Sequence, residues 1–131
     1  MVNALPLEAG MRVLEIGGAP GAAAREVAAR VGPNGHVLVL DRSSTGIALT
    51  RKNCAEEIAA GELTTLCAAV EDFELPAGVP LFNLAFACRV GALDGRHPQL
   101  FDPAIAAIAR ALTPDGRIFV DTGNPLRELR V

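Results

Sequence analysis

Arg12-Val13-Leu14-Glu15-Ile16-Gly17-Gly18-Ala19-Pro20-Gly21-Ala22-Ala23 is the stretch around which the rest of the chain is organised. An apolar run ends in a carboxylate, passes through a glycine-rich turn and opens into an alanine-rich helix. Strand, acid, tight turn and helix in that order are how an α/β sheet builds a nucleotide-sized pocket. The glycines let backbone approach a ligand, and the helix N-terminus presents unpaired N–H groups to negative charge.

Working outward, Met11 to Ile16 reads as a first strand buried on both faces, because its apolar residues do not alternate. Pro20 suits a first helical turn, and Ala23, Val27, Ala28 and Val31 share one helical face. Gly32-Pro33-Asn34-Gly35 ends that helix. Val37 to Leu40 is a second strand, closed by Asp41. Ser43 or Ser44 caps a second helix to about Gly61, with Ile47, Thr50, Cys54 and Ile58 inward. Leu63 to Val70 forms a third strand and Leu81 to Cys88 a fourth, joined by an acidic, proline-bearing loop. Arg89 to Leu100 is a long polar connection of the kind that often carries function. Asp102-Pro103 starts a further helix, with Ile105, Ile108, Ala109 and Leu112 as its stripe. Thr113-Pro114-Asp115-Gly116 is a turn. Ile118 to Val120 is a fifth strand, and Asn124-Pro125 starts a last helix.

Alternating strands and helices imply right-handed crossovers and a three-layer, doubly wound, mostly parallel sheet. The expected strand order is 3-2-1-4-5, in one domain spanning 1–131. Ligands on such sheets lie at the carboxyl ends of strands near the switch point. Glu15, Gly17, Asp41, Glu71 and Cys88 all fall there.

Composition sets the limits. The chain has 131 residues, half of them hydrophobic, and a mean hydropathy of +0.32, which argues against disorder. No apolar run approaches the roughly 20 residues of a membrane span. Met1 to Pro6 lacks the pattern of a signal peptide, so a cytoplasmic protein is expected. A net charge of −3 argues against nucleic acid as an electrostatic partner. Cys54, Cys67 and Cys88 form no metal-ligand spacing with His36 or His97, so no metal is expected and the thiols read as reduced.

Two pocket chemistries share this geometry. A dinucleotide fingerprint needs Gly-x-Gly-x-x-Gly, but the corresponding positions are Gly17, Ala19 and Ala22, and Glu15 stands where phosphates would lie. A nicotinamide-dependent oxidoreductase is therefore the weakest alternative. Val13 to Gly21 instead resembles the first motif of class I S-adenosylmethionine-dependent methyltransferases, roughly Val-Leu-Asp/Glu-x-Gly-x-Gly-x-Gly. Asp41 matches the acid that holds ribose hydroxyls in that family. Glu71-Asp72-Phe73-Glu74-Leu75-Pro76 looks like the segment lining the adenine. Phe82 to Phe86 and Ile108 to Arg117 look like the later motifs, so the resemblance covers about Gly10 to Val120.

That resemblance implies S-adenosylmethionine as cofactor, with S-adenosylhomocysteine as product, and a small-molecule methyl acceptor. It implies cofactor contacts at Glu15, Gly17, Gly18, Ala19, Gly21, Asp41, Arg42, Glu71, Asp72, Phe73 and Cys88. Arg89, Asp94, Arg96 and His97 fall in the region that borders the acceptor in family members, His97 being the candidate base. Physically, a carboxylate suits a cationic ligand, and methyl transfer from a sulfonium depends chiefly on proximity and orientation. Ala19 departs from the pattern, as do Ala69 (where many members have Asp) and Asn83. The family's C-terminal antiparallel strand pair and substrate-covering helices are not read in the sequence. An unprotected fifth-strand edge, and a homodimer through it, are therefore expected. A reduced, non-catalytic binding module is the main alternative.

Overall fold

A computed structural model describes residues 1–123 and 126–129. Its sheet has the strand order β3-β2-β1-β4-β5-β6. The strands are β1 (Arg12–Ile16), β2 (His36–Asp41), β3 (Leu63–Cys67), β4 (Phe82–Ala87), β5 (Leu112–Val120) and β6 (Arg127–Leu129). The first five run parallel, and β1 lies between β2 and β4, with Glu15 level with Val39 and Phe86. The helices are α1 (Ala22–Val31), α2 (Ser44–Asn53), α3 (Ala55–Ala59) and α4 (Phe101–Ala111). The doubly wound architecture and the order of the five parallel strands are as the sequence implies.

Strand parity divides the core between the two faces. Val13, Val37, Val39 and Phe86 pack with Ala24, Val27, Ala28 and Val31 of α1. Leu14, Ile16, Leu38 and Leu40 pack with Ala104, Ala107, Ile108 and Ala111 of α4. Successive strand side chains point to opposite faces, so an apolar run without alternation is what a sheet covered on both sides requires. The loop between β3 and β4 contributes Val70 and Phe73 to the α4 face.

Several local expectations change. Helix α1 begins at Ala22, capped by Gly21 at φ +101, so Pro20 precedes it; its buried alanines are Ala24 and Ala28, while Ala23 is half-buried. The helix expected to run to Gly61 breaks at Cys54, giving α2 and α3. Near the break Asn53 Nδ2 donates to Pro20 O at 3.2 Å and Cys54 Sγ to Gly21 O at 3.7 Å, tying this segment to the turn before α1. Helix α4 starts at Phe101, after a 3-10 turn at Pro98–Leu100. Residues 113–116, read as a turn, lie within β5 but outside its regular pairing. Leu112 pairs with Phe82, and the register resumes at Arg117 opposite Leu84.

The C-terminal expectation is corrected. The described part of the segment read as a last helix is β6, antiparallel to β5, with Val120 opposite Arg127. Arg117 donates to both Glu128 carboxylate oxygens, at 3.0 and 2.8 Å, across this pair. The β5 edge is thus occupied, and the homodimer argument that relied on its exposure loses its basis. Asn124, Pro125, Arg130 and Val131 lie outside the described residues.

Ser43 Oγ accepts from Gly46 N–H at 2.9 Å, satisfying one of the unpaired donors at the start of α2. Ser43→Ala is expected to lower unfolding free energy by about 1 kcal/mol in urea melts. An unchanged midpoint would show that the cap contributes nothing to stability.

Candidate functional site

The cleft opens where β1, β2, β3 and β4 end. It has a volume of about 340 Å³ and is lined by residues from the turn after β1, the end of β2, the segment after β3 and the loop after β4. Neighbouring crossovers leave opposite faces of the sheet at β1, and that divergence creates the crevice.

Its floor is the glycine turn. Gly17 has φ +72 and donates to Leu40 O at 2.7 Å, fastening the turn to β2. A Cβ at Gly17 would stand 2.8 Å from Val90 Cγ2 and 3.6 Å from Cys88 O, so a side chain here would be both strained and obstructed. Gly18 is needed for another reason: its Cβ would fall 2.6 Å from Glu15 Cδ. The Glu15 side chain therefore lies against the turn on the α1 side.

Glu15 is 3% exposed, and its Oε1 has no hydrogen-bond partner among the described residues. Burial, and secondarily the nearby Asp41 charge, raises its carboxyl pKa from 4.5 to about 8. Asp41 stands at the end of β2 with both oxygens aimed at local backbone. Its Oδ2 accepts from Ala19 N–H at 3.2 Å and its Oδ1 from Ser43 N–H at 2.9 Å. Each carboxylate oxygen keeps further acceptor capacity. Asp41 thus couples the glycine turn to the cap of α2.

Beyond β4, Arg89 adopts φ +54 and donates its N–H to Asp121 Oδ2 at 3.0 Å. Arg96 Nε meets Asp94 Oδ2 at 2.8 Å, and Arg96 Nη2 donates to Arg89 O at 2.7 Å. His97 lies over Gly91, where a Cβ would be 2.6 Å from His97 Cδ2. Ala92 and Leu93 are buried and anchor the loop on the α4 side.

Of the residues read from sequence, Gly17, Asp41, Arg42, Glu71, Arg89, Arg96 and His97 line the cleft. Glu15, Gly18, Ala19, Gly21, Asp72, Phe73, Cys88 and Asp94 do not. Glu15 and Gly18 are buried behind the turn, and Ala19 serves through its N–H. Gly21 packs against Cys54, 2.7 Å from Sγ to a notional Cβ. Phe73 is 3% exposed within the core, which removes it as an exposed ring platform. Cys88 comes close through its carbonyl, while burial raises its thiol pKa. Asp94 acts by holding Arg96.

The apolar wall was missed from sequence: Ile16, Leu40, Ala68, Val70, Val90 and Leu100 line the cleft. Their signal was position, since most stand at or just beyond strand ends. Among the described residues no cluster of three or more His, Cys, Asp or Glu side chains could hold a metal. No described helix is long and apolar enough to cross a membrane.

A family model described as a methyltransferase domain matches residues 13–116. The ubiquinone/menaquinone biosynthesis C-methyltransferase UbiE of Pseudomonas putida is 30% identical over 114 residues, covering 87% of this chain. The chain spans 42% of that relative's length. TrmN from Thermus thermophilus superposes with a TM-score of 0.72 at 23% identity, over 91% of this chain and 35% of that one. An S-adenosylmethionine-dependent methyltransferase from Thiobacillus denitrificans, in complex with S-adenosylhomocysteine, gives 0.66 at 18% identity, over 91% and 44%. At these identities the solved structures establish the fold.

Proposed function

The chain belongs to the methyltransferase-domain family, and from that premise we propose that its cleft binds S-adenosylmethionine and directs methyl transfer to a small-molecule acceptor. The observation that carries this reading is the pairing of Asp41 at the cleft with the buried, unpartnered Glu15 behind the glycine turn. Two acidic groups here, with Glu15 releasing its proton only toward pH 8, suit a cationic nucleoside better than a pyrophosphate. The fold alone would not decide the reaction.

When bound, the cofactor would supply a sulfonium-activated methyl group for in-line displacement. Asp41 would accept from the ribose hydroxyls with the lone pairs left free by Ala19 and Ser43. Glu15 would act through the turn, its buried charge favouring the cationic end once its proton is released. Ile16, Leu40, Ala68 and Val70 would pack against the apolar faces and exclude water, with Glu71 and Arg42 at the mouth. His97 lines the side toward the loop after β4 and is the candidate base for an acceptor that must lose a proton. A cytoplasmic setting belongs to the same reading, supported by three unpaired cysteines.

Thermal unfolding with ligands tests the proposal. S-adenosylhomocysteine at about 100 times its Kd is expected to stabilise the protein by about 2.7 kcal/mol, and S-adenosylmethionine similarly, with no shift from NAD. No change in melting temperature with either adenosyl ligand would overturn the cofactor assignment. Binding without methyl transfer across an acceptor panel would favour the non-catalytic module instead.

A further inference from the structure

The wall that follows β4 is built by hydrogen bonds that leave one cation available. Among the described residues Arg89 alone combines a side chain with positive φ. That left-handed conformation is unfavourable for a residue with a Cβ, and it is held from both sides: Asp121 takes the Arg89 N–H and Arg96 donates to its carbonyl. Arg96 is itself fixed by Asp94, its Nε lying 3.0 and 2.8 Å from the two carboxylate oxygens. The neighbouring acids are thus engaged, Asp94 by a guanidinium and Asp121 by a backbone N–H. Arg89 is exposed and lines the cleft, and its guanidinium forms no ion pair among the described residues.

We propose that Arg89 seats a carboxylate carried by the methyl acceptor, so that the acceptor is an organic anion. The inference rests on the S-adenosylmethionine reading of the cleft. Asp41 ends β2 on one side of β1, and Arg89 follows β4 on the other. A nucleoside fixed at Asp41 leaves the β4 side for its reaction partner. A guanidinium fork matches a carboxylate with two parallel hydrogen bonds, and the pinned backbone reduces the ordering needed to present it.

The test follows arginine side-chain N–H signals by NMR in the full chain saturated with S-adenosylhomocysteine and titrated with benzoate. Saturable movement of the Arg89 signal is expected. Arg89→Met should weaken benzoate binding at least about tenfold, Arg89→Lys should restore part of it, and Arg110→Met, on the exposed side of α4, should leave it intact. No saturable response in the wild type, or an equal response in Arg89→Met, overturns the proposal. So does an Arg89→Met variant that loses affinity for S-adenosylhomocysteine but keeps it for 5′-methylthioadenosine, because the anion is then the cofactor's own carboxylate. Saturation with S-adenosylhomocysteine is measured first. Its absence overturns the cofactor reading and this inference together, whereas saturation without a benzoate response overturns this inference alone.

Discussion

Glu15→Gln is expected to make the ligand-free protein more stable at about pH 8 while weakening its hold on a cationic ligand. In the folded state the Glu15 carboxyl titrates at about 8, against 4.5 ordinarily, chiefly through burial and secondarily through Asp41. Between those values the folded protein retains a proton that the unfolded chain has released. The stabilising contribution is therefore complete below pH 4.5, declines as pH rises toward 8, and changes no further above it. At about 1.36 kcal/mol per unit, the loss across that window is about 5 kcal/mol.

Glutamine has a similar shape and no such titration, so urea melts from about pH 5 to 9 should show wild-type stability falling relative to the variant. Parallel profiles would mean that Glu15 ionises like a surface glutamate. The same substitution removes the charge that a sulfonium or ammonium would attract. S-adenosylmethionine affinity is expected to rise in the wild type as pH approaches 8, whereas the variant should match it near pH 5, stay flat, and bind about tenfold more weakly at pH 8 and above. The residue thus destabilises the empty fold in order to favour its ligand.

Asp41→Ala is expected to produce the largest loss of binding. In the proposed complex it removes two charge-assisted bonds to ribose, each contributing about 1.5–3 kcal/mol, so S-adenosylhomocysteine should bind at least about 100-fold more weakly by calorimetry. It also leaves the Ala19 and Ser43 N–H groups without their carboxylate, loosening the attachment of the glycine turn to α2. Asp41→Asn helps separate the two roles. One amide oxygen can still accept from one of these N–H groups, whereas the amide nitrogen cannot accept at all. Asn should therefore recover part of the stability but little of the affinity. Unchanged affinity in both variants would remove Asp41 from the site.

The strands were legible because burial on two faces leaves apolar runs without alternation, uninterrupted at Val37–Leu40 and broken only by Glu15 at Val13–Ile16. Asp41 and Gly17 were legible because their places at strand ends follow from the same pattern. Less visible were features that depend on contacts distant in sequence. The break at Cys54 lies where side chains turn toward Pro20 and Gly21. β6 is too short to show a clear period, and its partner, β5, gives it a place. Phe73 falls in the segment that the family resemblance assigns to the ligand, and its ring packs in the core. No local signal distinguishes those fates. Arg89 was visible as a polar loop residue, but its left-handed backbone depends on Asp121 and Arg96.

The odd–even partition of β1 has a consequence for how this protein can diversify. Glu15 belongs to the layer formed with α1, whereas the loop carrying Arg89 is anchored through Ala92 and Leu93 in the layer formed with α4. The sheet lies between them, and the two sides approach each other at Gly17, beside Val90 and Cys88. Substitutions in the loop away from Val90 and Cys88 can retune what is recognised while the electrostatic setting behind the turn stays fixed, since sites without shared contacts vary almost independently. New acceptors can therefore be explored through the exposed part of the loop while Ile16, Leu40 and Val70 on the α4 side and Glu15 on the α1 side keep the cofactor's seat.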